Sequence, residues 1–221
     1  MKDIESMTTE QTWRAVAAER QRMADLLADR TESDWDHESL CADWRVRDVV
    51  AHVVLCTRAN LGWILVNLLR ARGSVHGALR DTAIRHADSV STRQLHSELR
   101  ASVPSRFFPI GTVPTDRLLD MLVHVQDIAL PLGITREMPS VPARSALDRV
   151  WATGDRFGID ERLSGYRLVA TDIEWSAGDG LLVEGTAGAL LLLATGRTAA
   201  ASQLTGPGAI TLAATLIANQ A

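Results

Sequence analysis

The chain has 221 residues, with 46% hydrophobic and 23% charged residues, a balance that fits one or two globular domains and excludes disordered and collagen-like classes. Its net charge of −4 offers no basic surface for nucleic acid. Two cysteines, Cys41 and Cys56, are too few for a disulfide framework and lack CxxC spacing, so both are expected to be free thiols. The polar opening MKDIESMTTEQ has no secretory-signal pattern, and the apolar runs Leu61–Leu69 and Ala189–Ala194 are too short to cross a bilayer. The expectation is a cytoplasmic protein with no membrane or nucleic-acid partner, either a monomer or a homodimer.

In chain order, Thr8 and Thr9 precede Glu10 as a cap region, and Trp13, Val16, Ala17, Met23, Leu26 and Leu27 recur at helical spacing. This predicts a first helix over Thr9–Ala28. TESDWDHESLCADW reads as a connector. A second helix runs from Arg45 to Arg72 and ends at Gly73, and a third, more polar one covers 76–103 with a break near Ser89–Ser91. Pro104, Pro109, Gly111 and Pro114 mark a loop. A fourth helix then carries DRLLDMLVHVQDIALPLG and is stopped by Pro131 and Gly133. Four such helices make a four-helix bundle.

After Gly133 the texture changes. MPSVPARS reads as a linker and SALDRVWATGDRF as a helix. YRLVATDIEW alternates like a strand, Gly178-Asp179-Gly180 reads as a tight turn, and Leu181–Glu184 is a second strand. Thr186 can cap the apolar helix AGALLLLAT, which ends at Gly196. Pro207 suits the first turn of AITLAATLIA. The fold class expected is α+β: a bundle over 1–138, followed by a small α+β domain over 139–221.

The chemistry lies in polar positions on otherwise apolar helices. Asp120, His124 and Asp127 share one stripe of the fourth helix at i, i+4 and i+7. Asp48, His52 and Cys56 do the same on the second. Because unpaired buried charge is expensive, the two stripes are expected to face each other. A carboxylate and an imidazole one turn apart can reach one ion, and a histidine from a neighbouring helix completes a three-donor face. Asp120, His124 and His52 fit that need. Two nitrogens and an oxygen suit Zn²⁺, and also Ni²⁺, Fe²⁺ or Mn²⁺, with positions left open for water or substrate. The same residues could equally form a buried Asp–His hydrogen bond between helices. Asp48 suits the positive end of its helix, and Cys56 reads as a small core residue. His37, His76, His86 and His96 read as surface histidines, and the tryptophans as packing.

These segments also carry a resemblance. DWRVRDVVAHVV at 43–54 is similar to the W-x-V-x-D-V-x-A-H segment of the mycothiol-dependent maleylpyruvate isomerase family, within the DinB-like metalloenzymes. DMLVHVQDIALPLG at 120–133 resembles its acidic-x-x-x-His-x-x-Asp segment, and YRLVATDIEWSAGDGLLVEGTAGALLLLATGR resembles its appended sterol-carrier-like domain. The resemblance implies metal ligands at His52 and His124, Asp120 in a place where the family usually has glutamate, and Asp127 as a supporting residue behind the ligands. It also implies a divalent metal, usually zinc, that receives the thiol of mycothiol. Addition of that thiol to a small electrophile either lets a cis double bond rotate before the thiol leaves, or transfers the thiol. A non-catalytic ligand-binding or regulatory protein on the same scaffold is the alternative, favoured by the shorter carboxylate at 120.

Overall fold

The structure is a computed structural model that describes residues 7–58, 75–108 and 111–218. Two compact units emerge, one formed by Trp13–Arg117 with His124–Arg136, the other by Glu137–Ala221 with Met1–Thr12 and Leu118–Val123. Among the described residues no helix is long and apolar enough to cross a membrane.

The first unit is helical, with α2 (Glu32–Trp35), α3 (Val46–Leu55), α4 (Val75–Ser89) and α5 (Thr92–Ser102) and most of α1 (Thr9–Leu27) and α6 (Pro114–Ala129); the first turn of α1 and the Leu118–Val123 stretch of α6 group with the second unit. Helix α1 runs as its apolar spacing predicts and buries Trp13, Val16, Met23 and Leu27. The connector holds more order than expected, since Thr31 caps α2 and a bridge pairs Glu38 with Arg45. Helix α3 starts where expected, because Asp48 in its first turn accepts the Arg45 backbone N–H at 2.8 Å. Among the described residues it ends at Leu55. Residues 56–58, expected to continue it, form a turn, and the rest of the helix expected to Arg72, with its stop at Gly73, lies outside the described residues. The expected break at Ser89–Ser91 separates two full helices, because the Ser91 hydroxyl accepts the Gln94 N–H at 3.2 Å and starts α5 afresh. Helix α3 packs against α4 and α5. Pro114 opens α6, whose Leu118, Leu122, Val125 and Ile128 are fully buried.

Buried charge also ties this unit together. Glu19, 1% exposed, pairs with Arg22 and with Arg136 far along the chain. Burial pushes the Arg136 guanidinium down, against the pull of Glu19. Arg20 donates to the carbonyls of Ser102 at 3.2 Å and Ser105 at 2.6 Å.

In the second unit, α7 (Ser140–Ala152) begins earlier than the expected linker allows. Pro142 falls in its first turn, where proline is tolerated. Helix α8 (Ile159–Leu163) leads to β1 (Tyr166–Ala170), β2 (Ser176–Ala177) and β3 (Leu181–Gly185). The sheet order is β2-β1-β3. Strand β1 pairs antiparallel with β2 and parallel with β3, Leu168 lying opposite both Ala177 and Val183. The tight Gly178-Asp179-Gly180 segment does not close a hairpin between neighbouring strands: it carries the chain from one edge of β1 to the other. It passes so close that a Cβ on Gly180 would lie 2.1 Å from the Gly165 carbonyl oxygen, and one on Gly178 2.4 Å from that of Tyr166. Both glycines have positive φ, +77° and +124° in chain order.

Helix α9 (Ala187–Ala194) is capped as expected by Thr186, whose hydroxyl accepts the Ala189 N–H at 3.2 Å, and additionally by Asp172, which accepts the Ala187 N–H at 2.7 Å. Its far end is held by Arg162, which donates to the carbonyls of Leu193 and Ala194 at 3.0 and 2.8 Å. Helix α9 is apolar on every side because α7 and the sheet elements cover it. Pro207 stands in the turn before α10 (Ala209–Ala218), not within its first turn.

Candidate metal centre

Helix α6 carries Asp120 and His124 one turn apart, and α3 carries His52. The structure brings all three together, each offering one ligand atom within 4.8 Å of the others. The rings of His52 and His124 are 5.0 Å apart and nearly perpendicular, both 8% exposed. Asp120 is half-buried, and despite being one methylene shorter than glutamate its carboxylate reaches both imidazoles.

Asp127, fully buried, approaches His124 Nδ1 with Oδ2 at 2.9 Å. An ionised carboxylate only accepts, so Nδ1 carries the proton and Nε2 is the nitrogen left for a ligand. This partnership also meets the need of a buried aspartate for a donor.

The two helical stripes meet at their histidines and not along their length. Asp48 turns away to Arg45, whose Nε and a terminal nitrogen each donate to it at 2.9 Å. That bidentate pair, with Asp88 adding a second contact, raises the Arg45 pKa further. Cys56 caps α3 with Sγ 3.7–3.8 Å from the His52 ring nitrogens, closer to the site than a plain core residue.

Sequence reasoning missed two neighbours. Trp44, read as packing, lies with its ring 5.2 Å from His52 and 6.4 Å from His124. Its place two residues before α3, as the tryptophan of the W-x-V-x-D segment, is the local signal for this. Cys41 donates to Asp127 Oδ2 at 3.0 Å, from 86 residues away, which no local pattern announces. The histidines expected at the surface also differ. His86 is half-buried against Glu98 at 2.8 Å, and His96 contacts the Ala24 carbonyl at 2.8 Å. His37 is exposed, and the side chain of His76 lies outside the described residues.

The architecture is a helical bundle in which two imidazoles and a carboxylate lie close together, followed in the chain by a small α+β segment. Residues 16–107 match the family model described as "Mycothiol maleylpyruvate isomerase N-terminal domain". The match includes His52 and ends before Asp120 and His124. The chain is also similar in fold to the crystal structure of the mycothiol-dependent maleylpyruvate isomerase, with a TM-score of 0.61 and 14% identity over 92% of this chain and 94% of that one. A histidine-to-alanine mutant of the same enzyme superposes equally well, with 13% identity and the same coverage. No curated protein matches the chain in sequence.

Proposed function

We propose that the chain is a metal-dependent enzyme that uses mycothiol to isomerise, or to transfer the thiol to, a small electrophilic substrate. The observation that carries this reading is the convergence of His52, Asp120 and His124 donors within 4.8 Å. A set of two imidazoles and one carboxylate fits Zn²⁺ and leaves a position open. His52 and His124 would hold the ion through nitrogen and Asp120 through oxygen. When bound, the metal favours the thiolate form of a thiol.

The chain's own residues then have separable tasks. Asp127 holds the His124 proton at Nδ1 and so keeps Nε2 a lone-pair donor. Trp44 lies with its ring beside both imidazoles. The valines of α3, with Val49, Val50 and Val54 at 0% exposure, fix the helix that carries His52. Neither cysteine is required as nucleophile, since the thiol arrives with the cosubstrate.

We further propose that 1–138 is the metal-holding module and 139–221 an appended domain, and that the protein works in the reducing cytoplasm, where both thiols stay free. The split is placed near residues 134–145, and limited proteolysis should cut first in the part of it that precedes α7.

The test is metal analysis of the purified chain, followed by assay of maleylpyruvate isomerisation and of thiol transfer with and without mycothiol. Mycothiol-dependent turnover that needs the metal supports the reading. Stoichiometric metal without turnover on any electrophile favours the non-catalytic binding protein, for which the shorter carboxylate at 120 argues. Absence of metal binding rejects both.

A further inference from the structure

A second group of donors lies on the other side of His124: Cys41, His124 and Asp127. We propose that these three form a thiolate-containing cation site, an alternative to the His52 site and suited to soft or borderline ions such as Cd²⁺, Co²⁺ and Cu⁺.

The geometry already approximates a coordination face. Cys41 Sγ is 3.0 Å from Asp127 Oδ2 and 3.8 Å from His124 Nδ1, and Nδ1 is 2.9 Å from Oδ2. Metal–sulfur and metal–nitrogen or –oxygen bonds of ordinary length set tetrahedral donor separations of about 3.3–3.6 Å, so shifts of a few tenths of an ångström suffice. His124 and Asp127 share a helical face at i, i+3. Asp127 is 0% and His124 8% exposed. Cys41 is half-buried, which leaves a route for an ion.

The sulfur is held in place without any metal. Ser39 Oγ accepts the Cys41 N–H at 3.1 Å and donates to the Trp44 carbonyl at 2.9 Å. The Leu40 N–H donates to the backbone carbonyl of Asp127 at 3.0 Å, and the Glu38–Arg45 bridge closes the loop. One carboxylate oxygen, Oδ2, faces two hydrogens, on Sγ and on Nδ1. A single cation between the three atoms replaces both.

The proton balance is simple. The Cys41 thiol proton goes to solvent. The Nδ1 proton is lost and Nε2 takes one up, so one proton is released per ion while Sγ, Nδ1 and Oδ2 each supply an electron pair. Because Nε2 is then protonated, His124 cannot serve the His52 side at the same time. The two sites exclude each other, and thiolate chemistry steers soft ions to Cys41.

The experiment uses the full chain, stripped with chelator and titrated with Cd²⁺ or Co²⁺, reading the ultraviolet sulfur-to-metal charge-transfer band that only a thiolate ligand gives. The decisive variant is His52→Ala with Cys56→Ser, which removes the first site and leaves Cys41 as the chain's one thiol. It should develop the band at one ion per chain, and Cys41→Ser in the wild-type background should lose it. In the wild type, saturating Zn²⁺ should weaken Cd²⁺ binding at Cys41 at least tenfold, an effect that His52→Ala removes. A folded double variant with no band overturns the proposal, as does a band that survives Cys41→Ser. Zinc bound through His52 with no thiolate band under any ion would leave the enzymatic reading standing and this one refuted.

Discussion

Among the described residues, the helical unit buries Glu19, Arg20, Asp48, His52, His124 and Asp127, whereas Glu137–Ala221 buries no such polar or charged side chain and fills its core with Leu147, Val150, Leu168, Val183 and Leu190–Leu193. The same chain thus uses two kinds of interior. The C-terminal one is maintained by burial of apolar area, which is non-directional and tolerant of shape changes. The helical one depends on matched partners, each needed because an orphaned buried charge is costly. Chemistry can be placed in the second kind of interior only.

That contrast can be broken or sharpened by substitution, beginning with the largest effect. Glu19→Gln leaves Arg136 short of its buried counter-charge and should destabilise the protein by about 3–5 kcal/mol in urea unfolding. Leu190→Ala, fully buried in the C-terminal unit, should cost about 2–5 kcal/mol yet leave zinc affinity unchanged by calorimetry. His52→Ala should do the reverse, weakening zinc by more than about 100-fold, beyond what loss of a supporting residue costs, with a smaller loss of stability than Leu190→Ala. If both variants lose metal and stability together, the two interiors are not separable.

Asp127→Asn keeps the shape but not the charge behind His124, and should weaken zinc by about 10–100-fold. Asp120→Glu restores the family's longer carboxylate and should tighten binding if the aspartate reaches the ion under strain.

The smallest effect concerns Glu98. Partial burial pushes its carboxyl up, but hydrogen bonds with His86 and Gln94 and the charges of His86 and Arg58 outweigh this, and the net pKa lies below the usual 4.5. A depressed folded value adds stability above the unfolded pKa that is lost as pH falls through the folded one. Glu98→Gln should therefore cost below about 1 kcal/mol at pH 7, and the difference should shrink as pH falls below 4.5 and vanish only below the depressed folded value.

Much of this was legible along the chain. The spacing of Leu118, Leu122, Val125 and Ile128 sets α6, and that helix puts Asp120 and His124 on one face without further information. Thr186 and Ser91 start their helices by contacts three residues long. What was not legible depends on partners distant in sequence. Glu19 and Arg20 look like ordinary charges in α1 until Arg136, Ser102 and Ser105 arrive beside them. Cys41 reads as a lone thiol in a connector because Asp127 lies on a helix read separately. Gly178-Asp179-Gly180 has hairpin composition, and only the pairing of β3 with β1 shows that it is a crossover.

That crossover has a consequence for how the surface tolerates change. Gly178, Asp179 and Gly180 are all exposed, so a map drawn from solvent accessibility would grade them as equally free to vary. The inner side of the two glycines is closed by the carbonyls of Tyr166 and Gly165, whereas no such closure applies to the residue between them. In a saturation library scored for folded protein, the segment should read as a comb: two intolerant teeth and one open gap. Even alanine should be rejected at 178 and 180, while 179 accepts residues of many sizes.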